Sequence, residues 1–264
     1  MLFRSDSVLL PSGYELGLDT VAMASALGRD THRIRLLTAI RTGENWPPQL
    51  ARQIATLQHL SSDRIDINII SSDLAGQTMA SAPRYQRTLN VMTALDELLR
   101  GESSEWDTPV FSFRATPPRI ASGHRPPFYF GGLSPDARDV AARMADVYLM
   151  WPDTTPAVEE IIRDMRARAQ AYGRTLRFGY RVHVIVRETE AEAREHAEYL
   201  VAALDDEIGR AIRARSLDAT SVGVARQSEL RDGADEDGYA EPHLWTGIGR
   251  ARSGCGAAIV GSAE

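Results

Sequence analysis

The sequence predicts an α/β fold in which parallel strands are covered by helices, and within that class a (β/α)8-type barrel. Three observations lead there. Six short apolar segments read as strands, five of them separated by amphipathic helical stretches, and this alternation is the pattern of parallel sheets. The loops after several strands carry polar residues or, at Trp151, an indole, as the mouth of a barrel requires: Ser12, Arg41, Ser71 with Ser72 and Asp73, Ser134, then Arg181 with His183. No Gly-x-Gly-x-x-Gly turn follows the first strand, which weighs against a doubly wound sheet holding a dinucleotide.

Each element has a local reason. Residues 7–10 (SVLL) end at Pro11-Ser12-Gly13, a buried-strand pattern meeting a turn. A helix over 19–27 is closed by Gly28, and 34–40 (IRLLTAI) is the next apolar strand. Pro47-Pro48 opens a helix with Leu50, Ile54, Leu57 and Leu60 on one stripe, prolines suiting a first turn whose N–H groups have no partner. The strand 65–70 (IDINII) passes into Ser71-Ser72-Asp73, and a helix through Leu89, Met92, Leu95 and Leu99 stops at Gly101. Residues 102–125, rich in proline and aromatics, read as an excursion from the core. Strand 128–130 runs into Gly131-Gly132, and Ser134-Pro135 caps a helix to Met144. A strand over 146–151 precedes a helix with Val158, Ile161, Met165, Ala169 and Tyr172 on its inner side. The clearest strand is 178–186, followed by the capping box Thr189-Glu190-Ala191-Glu192 and a helix carrying Ala193, Ala197, Leu200, Leu204, Ile208 and Ile212. From 216 to 241 the periodicity fades, and the stretch reads as a mobile insertion. The whole, 1–264, reads as one domain.

Composition bounds the function. A chain of 264 residues with 43% hydrophobic residues builds a sizeable core and is neither collagenous nor fully disordered. Its 30 Lys and Arg against 36 Asp and Glu give a net charge of −6, without a basic block, which argues against nucleic-acid binding driven by charge. An anionic small substrate needs only two or three local arginines. The one cysteine, Cys255, excludes an intrachain disulfide framework and a cysteine-built zinc site. The N-terminus is a poor signal peptide and no run of eighteen apolar residues exists, so a cytoplasmic protein away from membranes is expected.

Few residues carry chemistry. Arg181 and His183 stand two apart in the predicted strand and so leave the same face, where an arginine can clamp a planar anion and a histidine can exchange a proton. An exposed strand edge is the plain alternative. Arg250 and Arg252 precede Ser253-Gly254-Cys255-Gly256, a turn that can close around an anion but is equally an ordinary turn. Gly131-Gly132-Leu133-Ser134 offers free N–H groups at a helix N-terminus, which favour a phosphate, but lacks the Lys-Ser/Thr of a Walker loop. His32, His59, His124, His196 and His243 have no ligand spacing, so no metal is expected, and Cys255 has no adjacent base.

Three stretches, PPFYFGGLSPDARDVAARMADVYLMWPD (126–153), GRTLRFGYRVHVIVRETEAEA (173–193) and HLWTGIGRARSGCGAAIVG (243–261), together with QLARQIATLQHLSSDRIDINIISSD (49–73), resemble the bacterial luciferase-like monooxygenases. The likeness is strongest to those that act on alkanesulfonates with reduced FMN. It implies a luciferase-like TIM barrel in which reduced FMN, supplied by a separate NAD(P)H-dependent FMN reductase, reacts with O2 and an alkanesulfonate is cleaved to aldehyde and sulfite. Matched motif by motif, the family's catalytic histidine and its neighbouring arginine fall on His183 and Arg181, and the arginine before the Gly-rich turn on Arg252. Flavin contacts fall on Tyr85, Gly132, Leu133 and Ser134, with Asn68 near the ring, and Trp151 belongs to the substrate pocket.

Two departures stand out. Where sulfonate monooxygenases usually carry a cysteine shortly after the Pro-x-Gly turn, Leu16 stands here, which leaves open another sulfur compound or a hydrocarbon as substrate. By the resemblance the chain begins just before the second barrel strand and ends before the last helix and strand, so the expected barrel is incomplete by strands 1 and 8. Its unpaired edge favours a homo-oligomer. A catalytically impaired flavin-binding or self-associating remnant, and an anion-binding protein without flavin, are the alternatives.

Overall fold

The computed structural model describes residues 5–12, 17–74, 76–214, 221–250 and 254–263. The chain divides into two compact units, Met1–Phe130 with Asp139–Val147, and Gly131–Arg138 with Tyr148–Glu264.

The first unit is a parallel sheet with helices packed on it. β1 (Ser7–Leu10), α1 (Thr20–Asp30), β2 (Arg35–Arg41), α2 (Pro47–Ser61), β3 (Ile65–Ile70) and α3 (Ser81–Leu99) follow in strict alternation. An antiparallel hairpin of β4 (Ser104–Asp107) and β5 (Ser112–Ala115) then interrupts before β6 (Phe128–Phe130) and α4 (Pro135–Met144). Strands β1, β2, β3 and β6 neighbour one another in that order, all parallel, with Leu36 opposite Ile65 and Asn68 opposite Tyr129. β2 is buried from Leu36 to Arg41, as a central parallel strand covered on both faces should be. Leu50, Ile54 and Leu57 of α2 and Met92, Leu95 and Leu98 of α3 are almost wholly buried, each contributing roughly 1.5–3 kcal/mol of apolar burial. Leu60, placed by the sequence on the same stripe, is 49% exposed because it falls at the last turn of α2.

The excursion over 102–125 is the β4–β5 hairpin and the chain that returns from it. Phe111 stacks on Phe113, and Trp46 meets Phe113 edge-on. The return is fastened by Arg125, whose side chain is 9% exposed and pairs with both Asp96 and Asp146 while its guanidinium lies 4.1 Å above the Phe128 ring.

The second unit begins with the turn Gly131–Arg138 and continues through β7 (Val147–Met150), α5 (Thr155–Ala171), β8 (Arg177–Tyr180), β9 (His183–Arg187), α6 (Glu190–Val201), α7 (Asp206–Ala214), α8 (Val222–Asp232), β10 (Tyr239–Glu241), β11 (Leu244–Trp245) and β12 (Ala258–Ser262). β9 pairs in parallel with β12, and β10 and β11 extend that sheet antiparallel.

Three expectations are corrected here. The single strand 178–186 is two, because Arg181 N donates to Met150 O whereas His183 N donates to Ala257 O, and the chain changes partner between them. The helix after the capping box is also two. It breaks between Val201 and Asp206, where Asp205 accepts from the N–H groups of Glu207 and Ile208, and Leu200, Ile208 and Ile212 are exposed. Tyr172, placed on the inner side of α5, is 45% exposed just beyond that helix's end. Within 216–241, where the sequence period fades, the described residues form α8 and β10. Ser221 caps α8 on Val224 N, and the helix buries only Gln227 and Leu230, too few apolar positions to leave a period in the sequence.

Replacing Arg125 with Leu leaves Asp96 and Asp146 facing each other without their shared cation. Both carboxylates keep some water, so the expected loss is roughly 2–3 kcal/mol, at the lower edge of that for a broken buried pair. Urea unfolding checks it, and an unchanged midpoint would mean that Arg125 adds no net stability.

Candidate active site

In the first unit, the C-terminal ends of β2 and β3 meet the first two turns of α3 in a buried polar cluster. Arg41 is 6% exposed, bonds the Ser72 hydroxyl and pairs with Glu44 at 3.1 Å. Arg87 is 2% exposed and donates to Ser72 O at 2.9 Å. Arg84 pairs with Asp73 at 3.4 Å, and Asp73 also accepts from Met79 N at 3.0 Å. Thr88 bridges to Ser71 and Thr42. Burial and the like charge of Arg84 lower the pKa of the Arg87 guanidinium. Arg84 and Arg87 belong to no motif; the i,i+3 spacing at the start of a helix after a Ser-Ser-Asp turn is their signal in the sequence. Asn68, in the C-terminal half of β3, and Tyr85, in the second turn of α3 and edge-on to Phe130 at 6.3 Å, belong to this unit and are half-buried.

In the second unit, Gly132, Leu133 and Ser134 form the turn into α4 and are half-buried. Gly132 has φ +147°, a backbone state that side chains disfavour, and its carbonyl accepts from the Tyr148 hydroxyl at 2.6 Å. Ser134 Oγ accepts from Ala137 N at 3.3 Å, which leaves the hydroxyl and the neighbouring N–H groups at a helix N-terminus. This donor set suits a phosphate such as that of FMN.

Trp151 follows β7, and its indole lies between two glycines: a Cβ built on Gly223 would sit 3.1 Å from the ring and one on Gly254 3.5 Å. Arg181 is exposed in the link between β8 and β9, with its carbonyl accepting from the Cys255 thiol at 3.0 Å, and His183 is half-buried as the first residue of β9. Cys255, itself buried, thus acts as a structural donor to the Arg181 backbone. Burial pushes the Tyr180 phenol above its ordinary pKa. Leu16 and Arg252 lie outside the described residues.

The structure therefore brings Trp151, Arg181 and His183 around the segment 254–257, while Asn68 and Tyr85 belong to the other unit. Missed by the sequence reading were Asp153, Arg226 and Gln227. Asp153 forms a bidentate pair with Arg226, both contacts at 2.7 Å, and this pairing holds the guanidinium above its ordinary pKa. No spacing links residues so far apart in the chain. Among the described residues no group of three or more His, Cys, Asp or Glu is placed to hold a metal, and no helix is long and apolar enough to cross a membrane. An open cavity of about 710 Å3 beside the β4–β5 hairpin, lined by Trp46, Arg52, Glu105 and Arg114 among others, includes none of the expected site residues.

A family model described as luciferase-like monooxygenase matches residues 5–264. The chain belongs to the luciferase-like monooxygenase family. It is 58% identical to a sulfoquinovose monooxygenase of Novosphingobium aromaticivorans, covering 98% of this chain and 74% of that protein. A sulfoquinovose monooxygenase of Agrobacterium fabrum is 46% identical, covering 98% and 68%. Among solved structures, an EDTA monooxygenase from Chelativorans sp. BNC1 superposes with a TM-score of 0.69 at 20% identity, covering 80% of this chain and 59% of that one. A riboflavin lyase with modified FMN and riboflavin gives 0.69 at 21%, covering 81% and 56%. The chain thus spans less than two thirds of these two solved structures. The fold is the luciferase-like α/β fold, as the motif resemblance implied.

Substituting Gly132 with Ala forces a side chain into a backbone state that costs roughly 1–3 kcal/mol. The expected result is a lower urea midpoint and at least tenfold weaker reduced-FMN binding, measured by anaerobic titration. Binding unaltered by the substitution would mean that this turn does not hold flavin.

Proposed function

We propose that this chain is a reduced-flavin-dependent monooxygenase that desulfonates a sulfonated sugar. The observation that carries this reading is the 58% identity to a sulfoquinovose monooxygenase over 98% of the chain. It favours a sulfosugar over the simple alkanesulfonate that the motif resemblance implied. Reduced FMN, when bound, supplies two electrons and the means of activating O2; a separate NAD(P)H-dependent reductase would deliver it. The net reaction inserts one oxygen atom at the carbon bearing the sulfonate. The C–S bond breaks with its electron pair leaving on sulfite, the carbon becomes an aldehyde, and the second oxygen atom leaves as water.

Each residue has a task in this reading. The N–H groups of the Gly132 to Ser134 turn would hold the cofactor phosphate. Arg181 binds anionic oxygen by charge-assisted hydrogen bonds, and His183 moves a proton at its imidazole. Arg252 adds a second positive charge to the sulfonate, and Trp151 walls the pocket against water.

The wild-type chain with reduced FMN and O2 should release sulfite from sulfoquinovose faster than from octanesulfonate; no sulfite from either would overturn the assignment. Replacing Arg252 with Ala should leave reduced-FMN binding within about twofold. Sulfite formed per reduced FMN consumed should fall ~10²-fold as hydrogen peroxide rises, the scale of losing a charge partner in the transition state. An unchanged ratio would take this arginine out of the mechanism.

A further inference from the structure

Helix α8 meets three successive residues after β7. Gly223 lies against the Trp151 indole, Gln227 Nε2 donates to Pro152 O at 2.7 Å, and Arg226 grips Asp153. Gln227 is 9% exposed, and Leu230, one turn further along α8, packs with Leu244 and Ala257. A buried carboxamide costs free energy unless both its ends are bonded, and here they are: Gln227 Oε1 accepts from Gly256 N at 3.1 Å. The two partners fix which end is which, since only the NH2 group can serve a carbonyl and only the oxygen an N–H.

Gly256 is the centre of the segment that touches the expected site residues. Gly254 borders Trp151, the Cys255 thiol donates to Arg181 O, and Ala257 O accepts from His183 N at 3.4 Å. Gly256 also packs directly on Gly249: a Cβ on Gly256 would fall 2.9 Å from Gly249 Cα, and one on Gly249 3.0 Å from Gly256 O. Arg231, again from α8, donates to Gly249 O at 3.2 Å. One helix thus holds both sides of this glycine contact and the loop of Trp151.

We propose that Gln227 is a positioning residue of the reaction site, its carboxamide tying Pro152 to Gly256 and so setting where Trp151, Arg181 and His183 stand. The proposal rests on the functional reading of those three residues, but its geometry is tested without turnover. Trp151 emission is obtained as the difference between each protein and its Trp151→Phe counterpart, and its quenching by acrylamide is measured in wild type, Gln227→Leu and Gln227→Glu. Gln227→Leu loses both hydrogen bonds, and Trp151 quenching should rise about threefold. Gln227→Glu keeps the acceptor for Gly256 N but not the donor to Pro152 O, and should fall between. With sulfoquinovose, kcat of Gln227→Leu should drop at least tenfold while KM moves less than twofold, since misplaced reacting groups cost rate rather than binding.

Wild-type quenching in Gln227→Leu overturns the proposal. So does a loss of cooperative unfolding in both variants, which would make Gln227 a core residue only. If the wild-type chain releases no sulfite, the functional reading fails and the quenching series still decides whether Gln227 places Trp151.

Discussion

The parallel pairing of β12 with β9, in register from Ala258 opposite His183 to Ser262 opposite Arg187, is the constraint on which the candidate site rests. Parallel strands need a long crossover, and here everything from α6 to β11 is that crossover. Its inner face is an apolar cluster in which Ile185 of β9 and Ala258 and Val260 of β12 pack with Ala193 and Ala197 of α6 and Trp245 of β11. Small alanines on α6 let helix and sheet approach closely. Because this register places Ala257 immediately before β12, its carbonyl meets the His183 N–H, and the Gly-rich segment is delivered beside the start of β9.

That placement explains why the chain changes partner near Arg181. Up to Arg181 the backbone bonds the Met150 end of β7, and from His183 it bonds the β12 side. The link between the two strands therefore has carbonyl and side-chain groups that neither sheet consumes. Cys255 uses one of them, the Arg181 carbonyl, and the exposed Arg181 side chain keeps its own donors for other partners. A segment that reads as one long strand is in three dimensions a junction between two pairings.

Charge is handled differently in the two units. The first collects Arg41, Arg84 and Arg87 against Asp73 and Glu44 at one sheet end, and fastens its hairpin return with Arg125 between two aspartates. The second uses a bidentate pair, Arg226 with Asp153, to dock α8 to the loop after β7. Asp153 is nearly buried, so an unpaired carboxylate there would be costly, and the guanidinium fork meets both its oxygens. Surface pairs such as Arg114 with Glu105 add little by comparison.

By itself the sequence determined the strands and helices whose apolar spacing is continuous, the proline- and serine-started helices, the Gly131 to Ser134 turn and, through motif resemblance, the family. These are local properties: period, caps and backbone states are written in neighbouring residues. Only tertiary structure decided that 178–186 is two strands, that the helix after Thr189 breaks at Asp205, and that 222–232 is a helix. It alone showed that Gln227 and Arg226 grip residues 152, 153 and 256. The break at Asp205 is a local cap, but the other cases depend on distant partners. A hydrogen bond to a residue some seventy positions away leaves no period in the chain, and a helix that buries a glutamine and one leucine carries its reason for folding in the partners it meets.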